Sequence, residues 1–223
     1  MTLPKVKPEA MIFDMDGTLF KTESIILPAF AKVCDDLRRE GLFKGDNPPD
    51  QLILGGLGKL LAEIWGEVFP NETPETHRRA DELLLKHQIA FLERGEGELY
   101  PGVEETLKKL REQGIRLFVA SNGLEDYVKL VAEHKGVAVL FENMYSAGEY
   151  QTDTKVELVR LLLERYGLRN AWMVGDRSSD VEAGVKNGLV VVGCDYAGFG
   201  KDGELDGSDV RIESFGELLT LLP

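Results

Sequence analysis

One short apolar run, "AMIFDM" at 10–15, constrains this chain more than any other segment. It has the length of a buried strand and ends at once in a turn, Asp16-Gly17-Thr18. No second strand follows for a long stretch. Instead the apolar residues take helical spacing: Leu27, Phe30, Ala31, Cys34 and Leu37; then Leu57, Leu60, Leu61, Ile64, Trp65 and Val68; then Ala80, Leu83, Leu84, His87 and Phe91. Breakers at 45–50, "GDNPPD", and 69–74, "FPNETP", separate them. From Pro101 the pattern alternates. Strand runs are expected at 115–120, 143–147, 171–175, 189–193 and 209–212, with helices between them and a closing helix on Phe215, Leu218, Leu219 and Leu222. Strands separated by helices predict an α/β fold, a parallel sheet with helices on both faces. The first strand precedes the helical stretch and the others follow it. The chain is therefore expected to divide into a sheet-bearing unit, 1–20 and 98–223, and an all-helical insertion, 21–97, with Gly95 and Gly97 at the return.

Charge narrows the partners. The chain has 26 basic and 39 acidic residues, a net of −13. That balance disfavours nucleic acid and anionic membrane surfaces, which select basic faces. A spanning helix needs about 20 apolar residues, and charges, Pro or Gly interrupt every run sooner. After Lys5 and Lys7, the stretch Ala10 to Phe13 is too short for a secretory signal core. Two cysteines, Cys34 and Cys194, make no disulfide framework, so a cytoplasmic setting is expected.

Polar residues gather where the predicted strands end, the edge at which parallel sheets bind ligands. The first strand ends in Asp14-Met15-Asp16, the second in Ser121-Asn122 and the fourth in Gly175-Asp176; Lys155 follows the third. Asn122, Thr154 and Ser179 each precede a Glu by three, the spacing of a helix cap. Helix starts so placed offer N–H groups and a positive dipole end to a phosphate. Asp14 and Asp16, two apart in extended chain, are expected to share a side and to repel unless a cation or proton intervenes. Mg2+, a hard oxygen-binding cation, with Asp176 as a third carboxylate, answers that requirement. A plain surface turn is the alternative for Asp-x-Asp-Gly, but this one closes a buried strand.

These residues carry a resemblance. "FDMDGTLF" resembles the first motif of the haloacid dehalogenase superfamily, whose members mostly cleave phosphate esters. Ser121 in "FVASNG", Lys155 in "QTDTKVELV", and Asp176 with Asp180 in "MVGDRSSD" match the second, third and fourth motifs in order and spacing. The resemblance implies a Rossmann-like core, with the insertion as a helical cap like that of the phosphoglycolate phosphatase and β-phosphoglucomutase branch. It implies that Asp14 attacks phosphorus to form an aspartyl-phosphate, and that Asp16 protonates the leaving oxygen and then takes a proton from water. Ser121, Asn122 and Lys155 would bind the phosphoryl group. Asp14, Asp16 and Asp176 would surround Mg2+, with Asp180 supporting that shell or Lys155. Such an enzyme acts on a small phosphorylated metabolite, here expected to be phosphoglycolate-like or a sugar phosphate.

Departures within the family refine this. True dehalogenases and phosphonoacetaldehyde-cleaving relatives lack the second Asp, present here as Asp16. Mutase relatives carry a His early in the cap, where this chain reads "TESIILPAF" with Ile26 near that position. Inorganic pyrophosphate, and less so a β-phosphoglucomutase-like reaction, stay open. So does a non-enzymatic phospho-acceptor module, although those place the phosphorylated Asp on the third strand and lack a helical cap. In the Gly-rich segment "LGGLGKLL", Lys59 is expected either to meet an anionic leaving group or to be a solvated helix-start lysine. Phe20 and Lys21 are expected at the entrance or the hinge, and Arg177 in solvent rather than supporting the acidic cluster. Cys34, Cys194, His87 and Trp65 are expected in packing roles, and His77 and His134 have no partner spacing for metal or triad chemistry.

Overall fold

The computed structural model describes residues 6–59 and 61–223, with the backbone alone at Leu61 and Ala62. Lys5, Leu60 and the side chain of Leu61 lie outside the described residues. Strand β1 (Ala10–Phe13) and the short β2 (Phe20–Lys21) lead into helices α1 (Glu23–Glu40), α2 (Asp50–Gly56), α3 (Leu61–Val68) and α4 (Pro74–Glu93). The chain returns through β3 (Glu98–Leu99). Then come α5 (Val103–Glu112), β4 (Arg116–Ser121), α6 (Glu125–His134), β5 (Asn143–Ser146), α7 (Ala147–Tyr150) and α8 (Lys155–Tyr166). They are followed by β6 (Ala171–Gly175), α9 (Ser178–Lys186), β7 (Val190–Cys194) and β8 (Val210–Ile212). The closing segment, Phe215–Thr220, is a 3-10 helix where an α-helix was expected. Phe215 and Leu218, both buried, lie three apart, which is one full 3-10 turn.

Six strands form one parallel sheet in the order β5-β4-β1-β6-β7-β8. Strand β1 is central and wholly buried, which explains why it reads as a continuous apolar run rather than an alternating one. Its alternate residues still separate by face. Met11 and Phe13 join Leu117, Val119, Trp172 and Val174, packed by α5, α6 and the closing 3-10 helix. Ile12 joins Phe118, Ala120 and Met173, packed by α8 and α9 through Leu158, Val159, Leu162 and Ala183. Phe13 lies beside Val119 on one flank and Val174 on the other. The residues that follow each of these three strands must therefore emerge together at one edge.

Helices α1 to α4 pack on one another, chiefly α1 on α4. Their core includes Trp65 stacked on Phe69, ring centroids 5.7 Å apart. The outgoing and returning chains pair as an antiparallel ribbon, Phe20 with Leu99 and Lys21 with Glu98. Phe20 is fully buried against Gly97; a Cβ there would come within 2.6 Å of its ring, and Gly97 takes φ +83°. Phe20 thus packs inside the ribbon, and Lys21 sits 4.0 Å from Glu98. Cys34 and Cys194 are buried and unpaired. His87 bonds Asp36 at 2.9 Å, and His77 bonds the carbonyl of Phe69 at 2.9 Å. No helix among the described residues is long and apolar enough to cross a membrane.

Candidate active site

Past Phe13 the ladder ends with one last bond, Asp14 N–H to the carbonyl of Val174 (2.9 Å). The chain then turns, with Leu19 and Phe20 both donating to the carbonyl of Met15. Gly17 takes φ +84°, and a Cβ on it would stand 2.3 Å from an oxygen of Asp176. Glycine is required there both for the left-handed backbone and for the approach of that carboxylate. Asp16 follows in this turn rather than on extended strand, yet it lines the same cavity as Asp14, and its charge adds to burial in raising the Asp14 pKa.

Three carboxylates and one ammonium meet at this edge. Asp14, Lys155, Asp176 and Asp180 are all buried, none more than 3% exposed. Lys155 Nζ donates to Asp14 Oδ1 and to Asp180 Oδ1, each at 2.6 Å. One oxygen each from Asp14, Asp176 and Asp180 lie within 4.8 Å of one another. Thr18 Oγ1 donates to Asp176 Oδ1 (2.9 Å), and the Arg177 N–H donates to Asp180 Oδ2 (3.0 Å). Two oxygens, Asp14 Oδ2 and Asp176 Oδ2, are buried without a hydrogen-bond partner. Orphaned carboxylate oxygens of this kind fit a hard divalent cation such as Mg2+.

Electrostatics follow from burial. Loss of water raises the pKa of Asp14, against the pull of Lys155, and raises that of Asp176 strongly. Burial pushes Asp180 up to about 6, again opposed by Lys155. Burial works against the charge on Lys155 as well, but Asp14 and Asp180 outweigh it and hold the ammonium above its usual range. A bound cation would invert the balance and favour all three carboxylates ionised.

Asp16 stands outside that cluster. Its Oδ1 accepts from Thr22 Oγ1 (2.5 Å) and from Tyr127 Oη (2.7 Å). Burial raises its pKa, and the two donors moderate the rise. Ser121 is buried at the same edge, its Oγ accepting from the Gly123 N–H (3.2 Å). Asn122 spans to the helical insertion, its Nδ2 donating to the carbonyl of Gly58 (2.8 Å).

Of the three expected caps, only Thr154 functions as one, its Oγ1 accepting from Glu157 N–H at 3.2 Å. Helix α6 starts after Leu124 without a side-chain cap, because Asn122 is turned to Gly58. Helix α9 starts at Ser178, so Ser179 falls inside its first turn instead of capping it, and Asp180 bonds back to the Arg177 N–H.

Arg177 is not in solvent as expected. It is 3% exposed, and its Nη2 donates to the carbonyl of Gly55 (3.0 Å). Its stem fills the space beside Gly58, where a Cβ would come within 2.7 Å of it. Lys59 is held by Glu67, Nζ to Oε1 2.5 Å. Thr18, Thr22 and Tyr127 contact the site without any expectation of it from the sequence, and Arg177 does so against its expected place in solvent. Thr18 and Arg177 adjoin motif residues, and that adjacency was an available signal. Thr22 lies only six residues beyond Asp16, whereas Tyr127 is 111 residues from it and reads simply as part of an apolar helix face.

A model of the family described as haloacid dehalogenase-like hydrolase matches residues 8–188. The chain is similar to a pyrophosphatase, PpaX, of Bacillus velezensis, 27% identical over 192 residues, 82% of each chain. It is similar to a phosphoglycolate phosphatase of Aquifex aeolicus, 27% identical over 184 residues, 80% of each. Its fold resembles that of a predicted phosphoglycolate phosphatase from Haemophilus somnus, TM-score 0.79 at 19% identity, covering 98% of this chain and 99% of that one.

Proposed function

The chain belongs to the haloacid dehalogenase-like hydrolase family, and from its strand-edge cluster we propose that it is a Mg2+-dependent phosphatase that cleaves a small phosphate monoester through an aspartyl-phosphate on Asp14. One observation carries this most: a buried lysine bridges the carboxylate of Asp14 and that of Asp180, with two orphaned carboxylate oxygens beside them. A nucleophile, a charge partner and a cation site thus share one edge. The relatives' names cover an anhydride and an ester, pyrophosphate and phosphoglycolate. Displacement at phosphorus is common to both.

Each residue has a role that suits its surroundings. Asp14 attacks phosphorus, and the bond to the leaving oxygen breaks as the aspartyl bond forms. Asp16 supplies the proton to that oxygen. Its Oδ1 is occupied by Thr22 and Tyr127, so the mobile proton belongs on the other oxygen, and burial favours its being there at the start. In the second half, Asp16 takes a proton from the water that releases phosphate. Ser121, Asn122 and Lys155 face the phosphoryl oxygens. Asp14 and Asp176 would hold Mg2+, which supplies positive charge against that developing on the phosphoryl group. Asp180 positions Lys155. Asp16 is assigned to proton transfer, and its side chain is left out of the metal set.

Residues 21–97 act in this proposal as a cap on a core formed by 1–20 and 98–223, moving about the β2–β3 ribbon. A cytoplasmic setting accords with two buried, unpaired cysteines. The test is hydrolysis of p-nitrophenyl phosphate with Mg2+, after exhaustive chelation, and after Mg2+ is restored, together with acid-quenched mass spectrometry. Full activity in the chelated enzyme, or phosphate found reproducibly on a residue other than Asp14, would overturn it. A phospho-acceptor module would hold phosphate on an aspartate without turnover.

A further inference from the structure

The substrate's leaving group has to occupy the space on the helical side of Asp14 and Asp16. A cavity opens there, and Ser121, Asp14 and Asp16 form its floor. Its walls are aliphatic and come from all four helices of the insertion and the loop between them: Ile26, Ile53, Leu57, Ile64, Leu84 and Leu85. All but Leu85 are at least nine-tenths buried. Helix α4 presents Asp81, Leu84, Leu85 and Gln88 to it, a run at helical spacing, so one face of that helix is committed to the cavity.

Charge in this space is unfavourable to an anion. Among the described lining residues the one cation is Lys59, and Glu67 holds it. Asp81 adds a carboxylate at the far wall, accepting from the indole N–H of Trp65. A second phosphate or a carboxylate on the leaving group would give up its water and meet alkyl groups and acids. The polar cavity on the other side of Lys155 offers no refuge, since Lys59, Lys155 and Arg177 there face five carboxylates.

Resting on the phosphatase reading above, we propose that the natural substrate is the phosphate monoester of an uncharged, apolar alcohol, rather than phosphoglycolate, a bisphosphate or pyrophosphate. The phosphoryl group sits over Asp14 and the alkyl or aryl body enters the aliphatic cavity. The P–O bond to that body breaks; water's oxygen ends on phosphate, and the alkoxide leaves with the proton from Asp16 as a neutral alcohol. Asp81 and Gln88 can receive one hydrogen-bonding group at the distal end.

The experiment compares kcat/KM with Mg2+ for methyl, ethyl, propyl and butyl phosphate, for 2-phosphoglycolate and for pyrophosphate. Leaving-group basicity is nearly constant along the alkyl series, so its slope reports burial. We expect a rise of about fourfold per methylene, the transfer value of a buried CH2, with butyl phosphate above both anionic substrates. A flat series, or either anionic substrate above butyl phosphate, would overturn the proposal and leave the phosphatase reading standing. Absence of turnover on every ester, p-nitrophenyl phosphate included, would overturn both. Leu85→Lys places a cation on the half-buried wall; it should flatten the alkyl series and raise 2-phosphoglycolate at least tenfold relative to butyl phosphate. An unchanged ratio in a folded variant would show that the aliphatic wall is packing between helices and would overturn the assignment.

Discussion

Replacing Lys155 with Met should cost the fold more than it costs any single contact. The lysine is a buried cation with two carboxylates at 2.6 Å, and a third carboxylate, Asp176, completes the cluster within 4.8 Å. Methionine matches the stem but leaves Asp14 and Asp180 buried without their counter-charge. Breaking a buried pair by removing one partner costs about 3–5 kcal/mol. At about 2–4 °C per kcal/mol for a chain of this size, the melting temperature should fall by roughly 6–20 °C. The measurement is thermal unfolding in chelator, by calorimetry or circular dichroism, for Lys155→Met beside the unsubstituted protein.

The pH dependence has a definite sign. In the parent, burial pushes the Asp180 pKa up to about 6, above the ~3.9 of an unfolded Asp. A raised carboxyl binds its proton more tightly in the folded state, so it contributes stability that is present below the unfolded pKa and lost as pH rises through about 6. Without Lys155, the pull that lowers Asp14 and Asp180 is gone and the window extends upward. The deficit of the variant should therefore shrink as pH is lowered through that range. The double variant Lys155→Met with Asp180→Asn removes one uncompensated charge and keeps an acceptor for the Arg177 N–H, so it should recover part of the loss. A melting temperature within 2 °C of the parent, roughly 1 kcal/mol or less by the same scale, or a deficit that grows toward acid pH, would refute the assignment of Lys155 as the charge that holds this cluster together.

Three further outcomes follow from named contacts. Asp16→Asn should lower kcat by about 10²–10⁴-fold on alkyl phosphates through lost proton transfer, with a smaller loss on p-nitrophenyl phosphate; equal losses on both would separate Asp16 from leaving-group protonation. Tyr127→Phe removes one of two donors to Asp16, a bond to a charged group worth about 1.5–3 kcal/mol, so kcat/KM should fall about 10–100-fold and the pH profile should move upward, since Tyr127 holds the Asp16 pKa down; an unshifted profile would contradict this. Arg177→Met frees the carbonyl of Gly55, and with Asn122 left as the other tie to the 55–58 segment, KM should rise about tenfold with a smaller change in kcat and faster proteolytic nicking near Gly58; unchanged KM and nicking would return Arg177 to a packing role.

The layout of strands and helices was legible in the chain. A run of four buried residues ending in Asp14, three more strand ends carrying polar groups, and a helical stretch between the first and second were all legible, because burial on both faces and helical spacing leave periodic marks in a single chain. The order of Ser121, Lys155 and Asp176 along the chain was equally legible, since each adjoins a strand or helix terminus. Which groups meet came from the packed fold. Asp16 turned one carboxylate oxygen to Thr22 and Tyr127, and Asp180 joined Asp14 and Asp176 within 4.8 Å. Arg177 entered the interior because Gly55 and Gly58, more than a hundred residues away, offer a carbonyl and an open flank. Tyr127, 111 residues from Asp16 in sequence, converges with nearby Thr22 on one Asp16 oxygen. Periodicity reports which face a residue turns to the core, but pairing between distant segments depends on strand order and loop path, and those are settled only when the sheet assembles.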